Sequence, residues 1–258
     1  MSELISAIIF AIVQGITEWL PISSSGHLIL AEKILNYNVN LTFNVALHFG
    51  TLMSVFVYFG KEITDIFQDL LKFKFHTEEG KLGIYLIIAT IPAGIIGLLF
   101  REVFKSIFIS PTILALGFGI TSLILIITSL DFKIIETKLN KKSALIIGLS
   151  QVLSMFSGIS RSGTTMSTGM LLGLKEKTAI KFSFLMSIPI IFGANILVIG
   201  NQKLPPELIW AALVSFIIGL AILHLIYKHI ITSRRNLRWF GIYALALSIT
   251  LGIIEMVF

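Results

Sequence analysis

The chain has 258 residues, of which 55% are hydrophobic and only 13% charged, against about 25% charged in a soluble domain. Its mean hydropathy is +0.94, more apolar surface than a water-soluble fold could cover with polar groups. The net charge of +6 fits basic loops at a membrane surface and excludes nucleic acid as a partner, because no basic soluble domain is present to hold it. The absence of cysteine excludes disulfides, thiolate metal sites and a cysteine nucleophile.

Taken in chain order, the first apolar stretch, Leu4–Val13, has no basic residue before it and no small-x-small site after it, so it is not read as a signal peptide. A spanning helix needs about 20 apolar residues. Six stretches reach that length, at roughly 41–59, 82–100, 112–130, 180–199, 208–228 and 239–258. Four others, at roughly 4–20, 27–35, 143–156 and 164–174, are too short. These form two pairs, interrupted at Pro21–Gly26 and at Ser157–Gly163. Broken backbone at membrane depth survives only where protein or a polar cavity surrounds it, so each pair reads as a re-entrant hairpin. The predicted fold is an all-α polytopic membrane protein, a single membrane domain over 1–258 with six transmembrane helices and two re-entrant helix–loop–helix hairpins.

The two breaks match. Gln14 precedes Ile22-Ser23-Ser24-Ser25-Gly26 and Gln151 precedes Ile159-Ser160-Arg161-Ser162-Gly163, so Q-x7-I-S-x-S-G occurs twice, 137 residues apart. Each half, about 1–130 and 131–258, holds one hairpin and three spans. An odd number of spans inverts the second half, an inverted repeat whose site lies where the halves meet. Fifteen of the 20 Lys and Arg residues fall in segments 60–81, 131–142, 175–181 and 228–238. The opposite face keeps Lys33, Arg101, Lys105 and Lys203. The positive-inside rule makes the first face cytoplasmic. The first hairpin then enters from outside and the second from the cytoplasm, and their tips can meet at mid-membrane.

The tips carry the chemistry. Gln14 and Glu18 are four apart and share a helix face. Pro21 ends that helix, and Ser23, Ser24 and Ser25 offer a cap to the next, with His27 in its first turn. In the second hairpin Arg161 stands at a helix start, where the dipole opposes it, and at mid-membrane it costs about 2.5–3.5 kcal/mol. An anion offsets both costs. Ser160, Ser162, Thr164 and Thr165 supply hydroxyls, Gly158 and Gly163 allow close backbone approach, and the helix start supplies N–H groups: the parts of a phosphate cradle without a Walker motif. A bare Glu18–Arg161 ion pair with no ligand is the competing account. Other residues read as structural. His48 and Asn195 hydrogen-bond within the bundle, Trp19, Trp210 and Trp239 anchor span ends at the interface, and 60–81 is a solvated loop.

Gln14–His27 resembles the (E/Q)xxxE plus PxSSSGH region of integral-membrane undecaprenyl-diphosphate phosphatases, the bacitracin-resistance family, and Gly158–Thr165 resembles that family's PGxSRSG segment. Phe43-Asn44-Val45, His48-Phe49-Gly50-Thr51, Ile91-Pro92-Ala93, Gly148-Leu149-Ser150-Gln151 and Phe182–Pro189 extend the likeness over almost the whole chain. Three positions depart from it: Ser157 replaces a usual proline, Asn44 a common acidic residue, and Ala244 a common arginine. The resemblance implies hydrolysis of a polyprenyl diphosphate to the monophosphate and inorganic phosphate, recycling a lipid carrier for cell-envelope glycan synthesis at the plasma membrane. It implies a divalent cation, Mg²⁺ or Ca²⁺, near Glu18 and Gln14, and Arg161 as diphosphate clamp. Ser24 or His27 assists attack on phosphorus, and Ser23, Ser25, Ser160, Ser162, Gly163 and Thr165 contact substrate. A homodimer is left open.

A transporter or lipid flippase shares the inverted-repeat, broken-helix signature, but an ion path does not need Arg, Glu, His and serines at both tips. The other membrane lipid phosphatase superfamily pairs Ser-Gly-His with an Arg-x5-His-x3-Asp segment. No histidine follows Arg161 at that spacing, which excludes it.

Overall fold

A computed structural model describes residues 3–37, 39–100, 102–104, 110–199 and 206–257, and among them the regular elements are all helical. The first hairpin is α1 (Glu3–Thr17) and α2 (Ser24–Leu35). There follow α3 (Leu41–Tyr58), α4 (Gly60–Leu71), α5 (Glu78–Leu99) and α6 (Pro111–Ser129). The second hairpin is α7 (Lys141–Gln151), continued by a 3₁₀ turn at Val152–Met155, and α8 (Arg161–Leu171). Then come α9 (Glu176–Ile199), α10 (Pro206–Leu225) and α11 (Leu237–Val257). Both expected breaks are present, at 18–23 and 156–160.

Local chemistry sets the starts. Asn40, Thr77 and Ser110 accept hydrogen bonds from backbone N–H groups three residues on, and Asn140 with Ser143 closes a capping box; each satisfies donors that an α-helix leaves unpaired. Pro111 occupies the first helical position of α6, where its missing N–H costs nothing.

Among the described residues four helices are long and apolar enough to span a bilayer, α5, α6, α10 with its π-helical extension to Ile230, and α11 with the turn before it, or five if the bent pair of α3 and α4 is one span. Their outer faces carry rows of exposed aliphatics, Ile87, Ile91, Ile95 and Leu98 on α5 and Ile242, Leu245, Ile249 and Ile253 on α11. That is the pattern expected when lipid is the solvent. Helices α3 and α9 differ. The α9 segment Ala179–Ser187 is buried apart from Lys181 and holds Ser183 and Ser187, which a helix surrounded by protein can carry. The main core joins Trp19, Phe59, Met166, Phe182, Phe184 and Leu223, so residues of both hairpins and of the central helices share one packed interior.

Segment 60–81 departs from expectation. It is not a solvated loop: α4 turns 82° from α3 and packs against α5, burying Ile66. Its apolar residues at helical spacing favour a helix lying on the bundle end. The basic segments do share a face. Lys181 pairs with Glu62 at 3.2 Å, Lys175 with Glu136 at 3.2 Å, and Arg235 with Asp131 at 2.5 Å, which links all four. At the other end Thr112 of α6 hydrogen-bonds Glu255 of α11. Arg101, Lys105 and Lys203 lie outside the described residues.

Candidate active site

The two hairpin tips meet. Ser162 Oγ donates to the Leu20 carbonyl at 3.0 Å. A methyl group on Gly163 would touch Pro21, and one on Gly26 would lie 3.3 Å from Gly158 Cα and 2.6 Å from the Phe118 ring. Glycine at these two positions allows the approach. Gly158 also has φ +85°, open to glycine at no steric cost. Helix α6 holds the second tip: Thr121 Oγ1 donates to the Gly158 carbonyl at 2.8 Å and accepts from Ser160 N at 2.9 Å.

The repeated motif folds alike twice. Ser23 and Ser160 are the N-caps of α2 and α8, accepting from Gly26 N and Gly163 N at 3.3 and 3.0 Å. Ser23 and Ser25 hydroxyls are 3.3 Å apart, as are those of Ser160 and Ser162. Ser23 differs in one respect: its φ of 71° is strained for a residue with a side chain.

Glu18, one turn beyond Gln14, is 6% exposed and lies at the centre. Its Oε1 accepts from Arg161 Nη2 at 2.6 Å, and its Oε2 accepts from Ser24 Oγ at 2.7 Å and Gln14 Nε2 at 2.9 Å. Arg161 also donates from Nη1 to the Ser183 carbonyl at 3.4 Å and lies 5.6 Å above the Trp19 ring. Thr165 hydrogen-bonds the Arg161 carbonyl and the Ser183 hydroxyl at 2.8 and 2.6 Å. Thr164 is buried with no partner for its hydroxyl.

His27 stands apart from this network. Its Nδ1 lies 2.7 Å from the Ser23 carbonyl and its Nε2 2.8 Å from Tyr243 Oη, with the two rings stacked. A carbonyl only accepts, so Nδ1 carries the proton and Nε2 the lone pair. Ser24 has its hydrogen bond to Glu18, so the carboxylate, not the imidazole three residues on, is its proton acceptor in this arrangement.

One structural reading needs correction, and another holds with partners of its own. Trp19 is no interfacial anchor: it is fully buried, edge-on to Phe184 beneath Arg161, whereas Trp210 and Trp239 are 60% and 61% exposed. His48 does hydrogen-bond within the bundle, but its partners are the site itself. Its Nδ1 is 2.8 Å from Gln14 Nε2 and 3.2 Å from Glu18 Oε2. An imidazole inside an apolar span is the signal that could have found it. Among the described residues, Asn195 donates to the Ile191 carbonyl of its own helix. Tyr243 was also missed, because its partner lies 216 residues away in sequence.

The donor set suits a hard dication that keeps substrate and water ligands. Among the described residues no three His, Asp or Glu side chains cluster. Glu18 supplies one carboxylate, and Gln14 Oε1 is buried with no hydrogen-bond partner. One or two carboxylates plus phosphate oxygens is the common arrangement for such an ion at phosphoryl sites.

The model of the family described as "Bacitracin resistance protein BacA" matches residues 7–250. The chain is 40% identical over 246 residues to an undecaprenyl-diphosphatase of Thermosipho melanesiensis, covering 94% of this chain and 96% of the relative. It is 38% identical over 261 residues to one of Korarchaeum cryptofilum, covering 96% and 98%. It is 47% identical over 196 residues to one of Caldicellulosiruptor bescii, covering 73% and 72%. With two interlocked hairpin tips, a buried Glu–Arg pair between them, and this likeness along nearly its full length, the chain belongs to the bacitracin resistance protein BacA family.

Proposed function

We propose that this multi-pass membrane protein is an undecaprenyl-diphosphatase, hydrolysing a polyprenyl diphosphate to the monophosphate and inorganic phosphate and so recycling a lipid carrier. The observation that carries this is the likeness of nearly the whole chain to relatives named undecaprenyl-diphosphatase, which separates it from a bare ion pair; at the centre of the two tips lies the Arg161–Glu18 contact, 2.6 Å long and 16% and 5% exposed at its side chains. It sits between two serine-capped helix starts that present backbone N–H groups to an anion.

The chain's groups divide the work. Arg161 forks onto phosphate oxygens, a geometry lysine cannot supply, and the start of α8 adds N–H donors. Ser160, Ser162, Gly163 and Thr165 shape the cradle from the second tip, and Ser23 and Ser25 from the first. Ser24 Oγ attacks the terminal phosphorus. Its proton passes to Glu18 Oε2, the bond from phosphorus to the bridging oxygen breaks, and the lipid monophosphate leaves. Water then releases phosphate from the serine. His27 Nε2, with its lone pair toward Tyr243, is the second candidate nucleophile. A divalent cation held by Glu18 and Gln14 would neutralise charge on the diphosphate oxygens.

We infer that α3 and α9 complete six spans and that the halves 1–130 and 131–258 form an inverted repeat. Support comes from exchanged packing: α1 lies on α10 while its counterpart α7 lies on α5, and the paired helices α6 and α11 lie on each other. The basic face is then cytoplasmic, in the plasma membrane, and the substrate site opens outward.

Purified protein is expected to release inorganic phosphate from a long-chain prenyl diphosphate, to stop on chelation, and to recover with Mg²⁺. Full turnover in excess chelator would remove the cation from the scheme. Lipid flipping with no phosphate release would replace the hydrolase with a transporter.

A further inference from the structure

At Tyr243 the first tip reaches the bilayer. The phenol donates to His27 Nε2 at 2.8 Å and its ring stacks on the imidazole, yet the tyrosine is 43% exposed. Its neighbours Ile242 and Leu245 belong to the exposed aliphatic row of α11. Glu18, Ser23 and Ser160, by contrast, are buried. The His27–Tyr243 bridge thus joins a polar group of the site to a side chain turned toward lipid.

A seam runs from that bridge toward the outer end of the bundle. On α2, Leu30 and Ile34 follow His27 at helical spacing, and on α11, Leu247 and Leu251 follow Tyr243, so each set shares one helix face. Leu30, Leu247 and Leu251 flank a single apolar cluster of Ile29, Leu114, Phe118 and Ala244, and all three remain only partly buried. Ile34 is exposed. Phe118 lies edge-on to His27, so the apolar wall continues up to the imidazole. The two helices are not clamped together: α2 takes its close packing from α1, and α11 takes its from α6. Side chains make the contact between them, the His27–Tyr243 hydrogen bond included.

A lipid diphosphate must bring its head group to Arg161 and Ser24 while its tail stays in apolar surroundings, because each methylene moved into water costs about 0.8 kcal/mol. Its route has to open sideways to the bilayer, have apolar walls and end at a polar tip. We propose that the seam between α2 and α11 seats the polyprenyl chain of the substrate, with Tyr243 at its inner end. This rests on the phosphatase reading above. The arriving head group parts the His27–Tyr243 bridge, and the phenol then donates to a phosphate oxygen instead of Nε2. The isoprene units next to the diphosphate lie between Leu30 on one side and Leu247 and Leu251 on the other.

The test maps the chain. A long-chain prenyl methylenediphosphonate, with a diazirine on the isoprene units nearest the head group, is bound to the wild-type protein and irradiated. Mass spectrometry is expected to find adducts on Leu30, Leu247 and Leu251. Adducts confined to other exposed rows, such as Ile91 and Ile95 of α5 or Leu213 and Ile217 of α10, would overturn the seam. A kinetic arm uses Leu30→Trp and Leu247→Trp, which narrow the seam, in protein shown to be folded by its melting temperature. The KM for a long-chain prenyl diphosphate should rise about tenfold or more at unchanged kcat. The KM for a short, water-soluble prenyl diphosphate should stay as in wild type. Ile249→Trp, exposed on α11 outside the seam, should alter neither. Unchanged KM for the long chain in both seam variants, or equal loss on long and short chains, counts against the seam while the phosphatase reading stands. No phosphate release from either substrate by wild type removes that reading and the seam with it.

Discussion

Arg161 makes three contacts that depend on a flat, forked cation: Nη2 to Glu18, Nη1 to the Ser183 carbonyl, and the guanidinium over Trp19. Lysine keeps the charge and loses the fork and the stacking. Arg161→Lys is expected to lower kcat by about 100-fold or more, measured as phosphate release by protein whose melting temperature is unchanged. Glu18→Gln should be as severe, since it leaves Arg161 without its anionic partner in a buried site. Gln14→Ala should cost less, because a neutral amide holds a cation more weakly than a carboxylate. A Gln14→Ala variant slower than Glu18→Gln, with both folded, would mean that the cation assignment is wrong. Much of this was legible from the chain: Glu18, Arg161 and the serines stand out because polar groups are expensive at membrane depth. His48 and Tyr243 did not stand out, since a lone polar group in a helix shows its partners only when the helices are packed.

At the level of elements, the second tip is held by a close crossing with α6. A methyl group on Gly117 would overlap the Ser157 carbonyl oxygen and press on Gly158. Gly94, in the middle of α5, has no atom within 4 Å of the same position. Glycine to alanine in a helix normally gains about 0.8–1.0 kcal/mol. Gly94→Ala should therefore hold or raise the melting temperature. Gly117→Ala should lower stability by about 1–3 kcal/mol through overpacking, and lower activity with it by displacing the tip. Thermal unfolding of the two variants side by side decides this, and equal melting temperatures would mean that the crossing is looser than the structure shows. The same scale explains the misreading of 60–81. Its charges suggested solvent, but an amphipathic helix needs only one apolar stripe to dock, and α4 docks on α5 through Ile66 and its neighbours.

For the whole molecule, the four basic segments are tied to one another at one end of the bundle by Lys181–Glu62, Lys175–Glu136 and Arg235–Asp131. The absence of native cysteine allows the orientation to be read by labelling. Lys72→Cys and Lys133→Cys, both at exposed positions, should react with an impermeant thiol reagent only after cells are permeabilised. Ser25→Cys, partly exposed at the first tip, should react from outside. Labelling of the two lysine positions in intact cells would reverse the topology. Protection of Ser25→Cys from outside, with reaction from inside, would overturn the outward opening alone.

The sequence by itself determined the solvent, the long helices, the two breaks and the paired motif, because hydropathy, Pro and Gly placement and capping residues act over a turn or two of chain. The apolar stretch at 112–130 and α6 at Pro111–Ser129 coincide nearly residue for residue. It also determined which polar residues would be costly, and so which were worth pairing. What only the tertiary structure decided is who pairs with whom. Glu18 and Arg161 are 143 residues apart and His27 and Tyr243 are 216 apart, distances over which no local pattern carries information. Ser24 turns to Glu18 rather than His27, Trp19 lies under Arg161 rather than at an interface, and His48 joins the site. Each of these depends on how the two hairpins and the central helices pack, and packing is a property of the assembled bundle.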